Sequence, residues 1–576
     1  MDNQPGPSGI KKRHCSDEKK VYDKKKKLTD TELLQLLEES GGSSDEHYVP
    51  DTDDSDVNSS SESEEENFID PIRPHQTLPS LDEIKWNDRG ALKQILFQKT
   101  QELLVQIPGQ GAPIDFFEMI IDDDFLQTIV ERTNSYAVEV LLRPETSTKS
   151  RITNFKDLTL DELKIFLALL LHTGTISLSR LNDYWKTDPL FNLPVFRKYM
   201  SRNRFLLILR CLHFTSPDMD PADRLGKIRF VADFFNNKMG EIYYPGRELS
   251  LDEAMVLYRG RLQFKQYIKN KRHKYGMKLY MLTEPNGLIL KFRVYEGATD
   301  VYGGSGHTEK IVLHLLEEKL GVGHAVYLDN FYNSVNLARK LLQQNTYCTG
   351  TLRAERKDNP KEVMSANLKR GENKSMFCNG VHVGKWRDKR NVQYISTEFG
   401  SEMGIFKNKR NQESEKPSAI IGYNAFMSGI DRQDQMMAYY PCSRKTIRWY
   451  KKLFMHVLQM SMINAYFLYN KYSRSDQLRL YDFRLDVIRN LLARRPITNL
   501  PQIPPGQINV HSISKVEKIV SEKKGTKETK RVSRKECKEC RKNKIRKQTV
   551  YECKMCPGQP GFCLNCFEDY HKNVQK

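Results

Sequence analysis

The sequence predicts a multidomain chain. A mixed α/β core carries a mixed insertion, mostly α-helical segments flank it, a cysteine-rich finger follows, and a disordered tail precedes it. Three observations predict this. The length of 576 residues corresponds to about three to five domains. Hydrophobic periodicity is missing up to about residue 85, helical from about 100 to 245, and strand-like from 248. Six of the eleven cysteines lie between 537 and 566.

The tail comes first. SDEHYVPDTDDSDVNSSSESEEEN is acidic and Ser-rich, and buries too little apolar area to order itself. Its serines flanked by acids suit a kinase, whose phosphates would make the tail more negative. The formal charge of the chain is +19, unevenly spread. Residues 1–27 hold nine Lys or Arg against four acids, and residues 28–66 hold fourteen acids and no Lys or Arg. The chain from 67 onward therefore carries +28. A basic body with an acidic tail points to a polyanionic partner, most simply nucleic acid. KKR at 11–13 and KKKK at 24–27 are spaced as a bipartite nuclear-import signal. The first twenty-seven residues have no apolar core, so no secretion signal is expected, and the apolar stretch Leu163–Leu171 is far too short to span a membrane.

In the helical region, Thr159-Leu-Asp-Glu162 reads as a capping box ahead of Leu163–Leu171. MSRNRFLLILRCLHF, 200–214, sets Arg202, Arg204 and Arg210 around an apolar stripe, the pattern of a core helix with a basic outer face. From 248 the elements follow in order. ELSLDEAMV is a strand, and YGMKLYMLTEPNGLILKFRVYEG is a hairpin turned by Pro285-Asn286-Gly287. TEKIVLHLLEEKL is a helix that stops at Gly321, and HAVYL is a strand ending at Asp329. SVNLARKLLQQN is a helix and TYCTGTLR a strand. A basic region over about 355–417 contains a hairpin at VHVGKWRDKRNVQYIST. Helix resumes at AFMSGIDRQDQMMAYY, RWYKKLFMHVLQMSMINAYFLYN and FRLDVIRNLLARR, and a basic linker leads to the cysteines.

The expected boundaries are 1–90 for the tail, 100–247 and 441–505 for the helical dimerisation and DNA-binding parts, 248–354 and 418–440 for the core, 355–417 for the insertion, 506–535 for the linker and 536–576 for the finger. Strand, hairpin, helix, strand, helix, strand, and a helix beyond an insertion is the order of a ribonuclease-H-like fold. There the first strand is central and the fourth lies beside it. Asp252 in the first strand and Asp329 after the fourth then face each other, and a helix across that edge supplies Asp431. Asp434, one turn on, shares its face. Glu253, next to Asp252, is expected on the other sheet face with a structural role. Such acids repel unless a divalent cation sits among them. Two Mg²⁺ about 3.5–4 Å apart activate a water or a 3′-hydroxyl and stabilise the leaving oxygen of a phosphodiester. The same spacing is met by unrelated caps and surface acids.

Cys537-x₂-Cys540, Cys553-x₂-Cys556 and Cys563-x₂-Cys566, followed by His571, have zinc-ligand spacing. In a cross-brace layout Cys537, Cys540, Cys563 and Cys566 close one tetrahedral Zn²⁺ site, and Cys553, Cys556 and His571 form three ligands of a second. Asp569, Glu568 or a water is available as the eighth ligand. Cations beside flat rings mark candidate DNA contacts: Lys271, Arg272 and Lys274 after the first strand, and Arg444, Lys445, Arg448 and Trp449 after the third acid. Lys385-Trp386-Arg387 in the insertion offers a further pair of cations around a ring.

SLDEAMVLYRGR, AVYLDNFYNS and MSGIDRQDQMMAYY closely resemble the three catalytic blocks of piggyBac-type transposases, and RFLLILRCLHF and RKTIRWYKKLF resemble flanking blocks of that family. The resemblance covers about 115–500, and the cysteine cluster is of the family's C-terminal kind. It implies that Asp252, Asp329 and Asp431 are the catalytic, metal-binding acids, with Asp434 auxiliary and Mg²⁺ or Mn²⁺ as cofactor. It also implies a nuclear cut-and-paste transposase, expected to act as a homodimer on double-stranded DNA, with terminal repeats as ends, TTAA as target and hairpin intermediates. Two rivals follow from the same residues: a domesticated DNA-binding chromatin protein that no longer transposes, and a ubiquitin ligase built on the finger.

Overall fold

The computed structural model describes residues 84–571 apart from 144–146, 148, 149, 217, 270, 272, 298, 299, 408, 409, 494–512, 517, 518, 525, 526, 555, 564, 565, 568 and 569. The import-signal runs, the acidic serine tract, Arg272, Glu568 and Asp569 lie outside the described residues. The chain divides into two compact units, one ending at Arg495 and one beginning at Pro496.

Helices of the first unit begin at Pro113, later than the sequence pattern suggests. Those of eight residues or more before the sheet are α1 (Pro113–Ile120), α2 (Asp123–Leu142), α3 (Leu160–Thr175), α4 (Arg202–Cys211) and α5 (Arg229–Ile242). The α3 start is capped as expected, with Thr159 Oγ1 accepting from the Glu162 amide at 3.3 Å. Residues 84–111 instead form no helix and are tied down far along the chain. Asn87 exchanges backbone hydrogen bonds with Phe377 at 2.9 and 2.7 Å, and the Gln98 amide donates to the Val322 carbonyl at 2.9 Å. The Ile95 amide donates to Tyr347 Oη at 2.6 Å.

The sheet consists of β1 (Glu248–Leu257), β2 (Tyr275–Thr283), β3 (Ile289–Val294), β4 (Ala325–Leu328), β5 (Tyr347–Thr351), β6 (Asn373–Cys378), β7 (Val381–Arg387), β8 (Asn391–Ser396) and the short ribbon Gln266–Tyr267, nine strands in all. β1 is central. It pairs antiparallel with β2, Asp252 opposite Met281, and parallel with β4 up to Leu251 opposite Leu328. β5 lies parallel to β4, and β3 pairs with the outer side of β2. The turn between β2 and β3 uses Gly287 at φ +105°, a conformation that glycine adopts without strain. The insertion does not stand apart. β8 pairs antiparallel with β5, β7 with β8, and β6 with β7, so the same sheet continues through it.

Helices α6 (His307–Leu316) and α7 (Val335–Gln343) connect the parallel strands, and α8 (Ser418–Phe426) and α9 (Gly429–Tyr439) follow the insertion. The long α10 (Trp449–Tyr472) and α11 (Leu480–Ala493) close the unit. α10 is buried along most of its length, and its Phe454 stacks on Phe214 at 4.5 Å. Most of the buried apolar side chains from α1 to α11 form one continuous core with the sheet. No helix among the described residues is long and apolar enough to cross a membrane.

In the second unit, Ile513–Lys515 pairs with Tyr551–Cys553, and Ile519–Lys524 pairs with Lys527–Val532. Much of the expected linker is therefore strand. Lys535–Glu536 pairs with Gln548–Thr549, and Phe562 is fully buried among Cys553, Cys556, Phe567 and Tyr570.

Candidate functional site

Asp252 and Asp329 each follow the last paired residues of neighbouring parallel strands, Leu251 and Leu328. Adjacent strands run about 4.8 Å apart, so Asp329, just beyond β4, lies beside Asp252, which is still paired with Met281 of β2. α9 brings the third. Its first residue is Gly429, where a Cβ would meet Thr283 Oγ1, the Glu284 carbonyl and Ser250 Oγ. Glycine here allows the helix to start hard against the ends of β1 and β2, and Asp431 sits in its first turn. Ser250 Oγ also donates to the Met427 carbonyl at 3.1 Å, fixing the approach of α9.

Two side chains mark the centre of the acids. Lys271 Nζ donates to the Glu253 carbonyl at 2.8 Å and lies 3.5 Å from Asp252 Oδ2. Burial works against its charge, but the fields of Asp252, Glu253, Asp431 and Asp434 outweigh it and raise its pKa. Tyr423 of α8 is held protonated by burial and by the charges of Asp329, Asp252 and Asp431. Burial pushes the Asp252 carboxyl up to about 7; Lys271 opposes the shift and Glu253 adds to it. Asp329 is held differently. Its Oδ1 accepts from the Asn330 amide at 2.6 Å and from Thr351 Oγ1 at 2.9 Å. Thr351 ends β5, and the buried Asn333 amide ties that end to β4 by donating to the Leu328 and Thr351 carbonyls at 2.8 and 2.9 Å.

Asp252, Asp329 and the α9 pair Asp431 and Asp434 thus come from three points in the chain to one end of the sheet. Among the described residues no three of these acids bring ligand atoms within 4.8 Å of one another. Carboxylate oxygens are hard donors, and with one carboxyl disfavoured as an anion by burial these acids could hold a divalent metal. Glu253 is closer to this centre than strand alternation suggests. Its Oε2 accepts from Tyr332 Oη at 3.0 Å, and Lys278 and Lys271 hold its carboxyl below the usual range against the effect of burial. Thr351 and Tyr423 were not anticipated. The strand order does point to Thr351, since β5 beside β4 brings the residue after Gly350 next to Asp329. Nothing in the sequence singles out Tyr423.

The basic candidates separate into two kinds. Lys274 and Lys445 are exposed. Arg444 donates to the Leu178 carbonyl at 2.7 Å, the Thr173 carbonyl at 3.2 Å and Tyr184 Oη. Arg448 Nη1 donates to the Arg210 carbonyl at 2.9 Å, at the C-terminus of α4. Both guanidinium groups therefore bind internal acceptors and join the approach of α10 to α3 and α4. Trp449 is half-buried, edge-on to Phe264 at 5.2 Å. In the insertion, Trp386 is buried in a small core with Tyr394, Ala419 and Ile420, and Lys385 Nζ donates to the Met364 and Ala366 carbonyls at 2.8 and 2.7 Å.

In the finger, the ligand atoms of Cys537, Cys540, Cys563 and Cys566 lie within 4.8 Å of one another, and so do those of Cys553, Cys556 and His571. The first and third pairs share one group and the middle pair joins the histidine, which is a cross-brace. His571 Nδ1 lies 2.7 Å from the Phe567 carbonyl, which fixes the ring and turns Nε2 toward Cys556 Sγ at 3.3 Å. Burial works against the Cys563 thiolate, but the Cys566 amide and the neighbouring thiols bring it down to about 7. Sulfur and imidazole donors in these two groups could hold metal, and fit zinc.

A family profile described as Transposase IS4 matches residues 112–466, a span that includes Asp252, Asp329, Asp431 and Asp434. The chain is 26% identical over 398 residues to the human PiggyBac transposable element-derived protein 3, covering 66% of this chain and 65% of that protein. It is 26% identical over 407 residues to the human PiggyBac transposable element-derived protein 2, covering 67% and 65%. The alignments thus span just under two thirds of those relatives' own lengths. In three dimensions it resembles a piggyBac transposase solved by cryo-EM as a synaptic complex with hairpin DNA, at a TM-score of 0.61 and 24% identity, over 71% of this chain and 86% of that one. The profile crosses more than half of the sequence, the named relatives carry the same origin and the fold agrees: the chain belongs to the piggyBac-type transposase family.

Proposed function

We propose that this protein is a cut-and-paste DNA transposase that cleaves strands at transposon ends with divalent metal, forms and resolves hairpins and joins the ends to TTAA targets. The carrying observation is the convergence of Asp252, Asp329 and Asp431, from two neighbouring strands and a helix, around Lys271 and Tyr423. In this reading β1 to β5 form a ribonuclease-H-like catalytic core, and Asp252, Asp329 and Asp431, aided by Asp434, hold Mg²⁺ or Mn²⁺. The bound metal supplies an activated water or 3′-hydroxyl and charge stabilisation for the leaving oxygen. Lys271 neutralises part of the acid cluster and faces the scissile phosphate. Thr351 and Tyr423 orient Asp329. Lys274, Lys445 and, outside the described residues, Arg272 contact the DNA backbone, and Trp449 stacks at an unpaired end. Arg444 and Arg448 shape this surface from beneath. The finger binds Zn²⁺ and recognises the transposon end. The enzyme works as a homodimer in the nucleus, and its acidic serine tract is a kinase substrate.

A second reading is favoured by the names of the human relatives, which describe them as derived from transposable elements. In it the chain is a sequence-specific DNA-binding chromatin protein without transposition. Excision from a plasmid carrying the repeats that flank the gene separates the two. Repair to an intact TTAA site supports the transposase; binding to those repeats without excision supports the second reading.

A further inference from the structure

The segment between β1 and β2 is unusual in composition. From Ala254 to Thr283 the chain has no Asp or Glu, while residues 259–274 hold seven Lys or Arg. Arg259, Arg261, Lys265, Lys269 and Lys274 are exposed. Two large aromatic side chains are exposed among them, Tyr267 at 54% and Tyr275 at 50%. They are direct cross-strand partners where the ribbon Gln266–Tyr267 meets the start of β2, and their rings lie 4.6 Å apart at 41°. Cross-strand pairing accounts for the ring contact. It does not account for leaving two rings half in water at the centre of a cationic loop. The Ile268 amide donates to the Lys274 carbonyl at 2.9 Å and closes that loop, and Lys271 within it reaches Asp252 at 3.5 Å. The rings are therefore held in a fixed relation to the acids.

We propose that Tyr267 and Tyr275 form a stacking platform for unpaired nucleobases of the DNA strand that enters the acid site, with the surrounding cations holding its phosphates. This rests on the transposase reading and adds a site to it. Exposed π-faces among cations are the features that bind single strands without regard to sequence. Tyr275 is six residues along β2 from Met281, the partner of Asp252. At about 3.3 Å per residue this is about 20 Å. A strand spaced at about 3.4 Å per nucleotide or more bridges that distance with about six nucleotides or fewer. The platform thus serves DNA that is unpaired well beyond the scissile phosphate.

The test uses the full chain and two probes of equal length, a paired duplex and a duplex ending in an unpaired tail. Tyr267→Leu/Tyr275→Leu is expected to weaken binding to the tailed probe about 10-fold and to leave the paired probe unchanged. Tyr267→Phe/Tyr275→Phe is expected to bind both as the wild type does. 2-Aminopurine in the tail is expected to be quenched by the wild type, a readout that depends on no variant. Equal, salt-sensitive binding of both probes by the wild type without quenching overturns the platform alone. Loss of both probes to the same degree in the Leu variant, or an unchanged tailed-probe affinity in it, overturns it too. Wild-type protein that binds neither probe at low salt overturns the transposase reading and the platform with it.

Discussion

Thr351 Oγ1 donates to Asp329 Oδ1 at 2.9 Å, from the end of one parallel strand to the residue beyond its neighbour. With the Asn330 amide, which donates to the same atom, the bond holds one of the two carboxylate oxygens in place. Thr351→Val removes the donor while preserving shape. Strand cleavage should fall about 10-fold in kcat with DNA affinity unchanged, because the Thr351 bonds to Asp329 and Tyr423 are lost while the exposed cations are untouched. Stability should fall by about 1 kcal/mol, the usual value of one such bond. Thr351→Ser should restore the rate. A rate loss that Ser does not rescue would assign Thr351 to packing alone.

Asp252 carries a pH signature. Its carboxyl titrates near 3.8 when unfolded and is pushed up to about 7 by burial in the folded chain. The folded state then holds the proton more tightly, so stability declines as pH rises from about 4 to about 7, and the full penalty applies above that. Asp252→Asn should therefore melt higher than the wild type at pH 8 and no higher at pH 4. The gain is at most about 4 kcal/mol, at 1.36 kcal/mol per unit. Adding Mg²⁺ should narrow the gap by stabilising the wild type. Equal melting temperatures at pH 8 without metal would contradict the burial argument.

The finger lies in the second compact unit, and its small buried centre is Phe562 with Cys553 and Cys556. Structural zinc contributes on the order of 10 kcal/mol or more to comparable modules. Cys537→Ser should release zinc and unfold residues 535–571 while the melting of the core is unchanged. Preference for transposon ends over scrambled duplex should vanish, leaving salt-sensitive binding. Retained end preference in zinc-free protein would show that another surface reads the ends.

The strands that carry the acids were legible because each is short, apolar and bounded by its own signals, as in ELSLDEAMV and HAVYLDN. Their order then implied that Asp252 and Asp329 are neighbours. The cross-brace was legible from cysteine spacing. Contacts set by distant partners were not. The run 84–111, which forms no helix, has no period of its own and is tied down by Phe377, Tyr347 and Val322. The insertion joins the main sheet because β8 pairs with β5, Tyr394 opposite Thr351, a pairing that no local pattern encodes. Arg444 and Arg448 looked like surface cations by type and spacing. Their partners are carbonyls on α3, α4 and the loop after α3, more than 200 residues earlier in the chain. Glu253 was expected to face away from Asp252, yet its long side chain shares the field of Lys271.

The central claim is that three aspartates form one metal-dependent cleavage site. The direct measurement is nicking of labelled transposon-end DNA by the wild type and by Asp252→Asn, Asp329→Asn and Asp431→Asn, with and without Mg²⁺, with binding followed in parallel. The account predicts Mg²⁺-dependent nicking by the wild type, and none by any of the three variants although each still binds the DNA. Undiminished nicking by any one variant in Mg²⁺ would contradict it and remove that residue from the site.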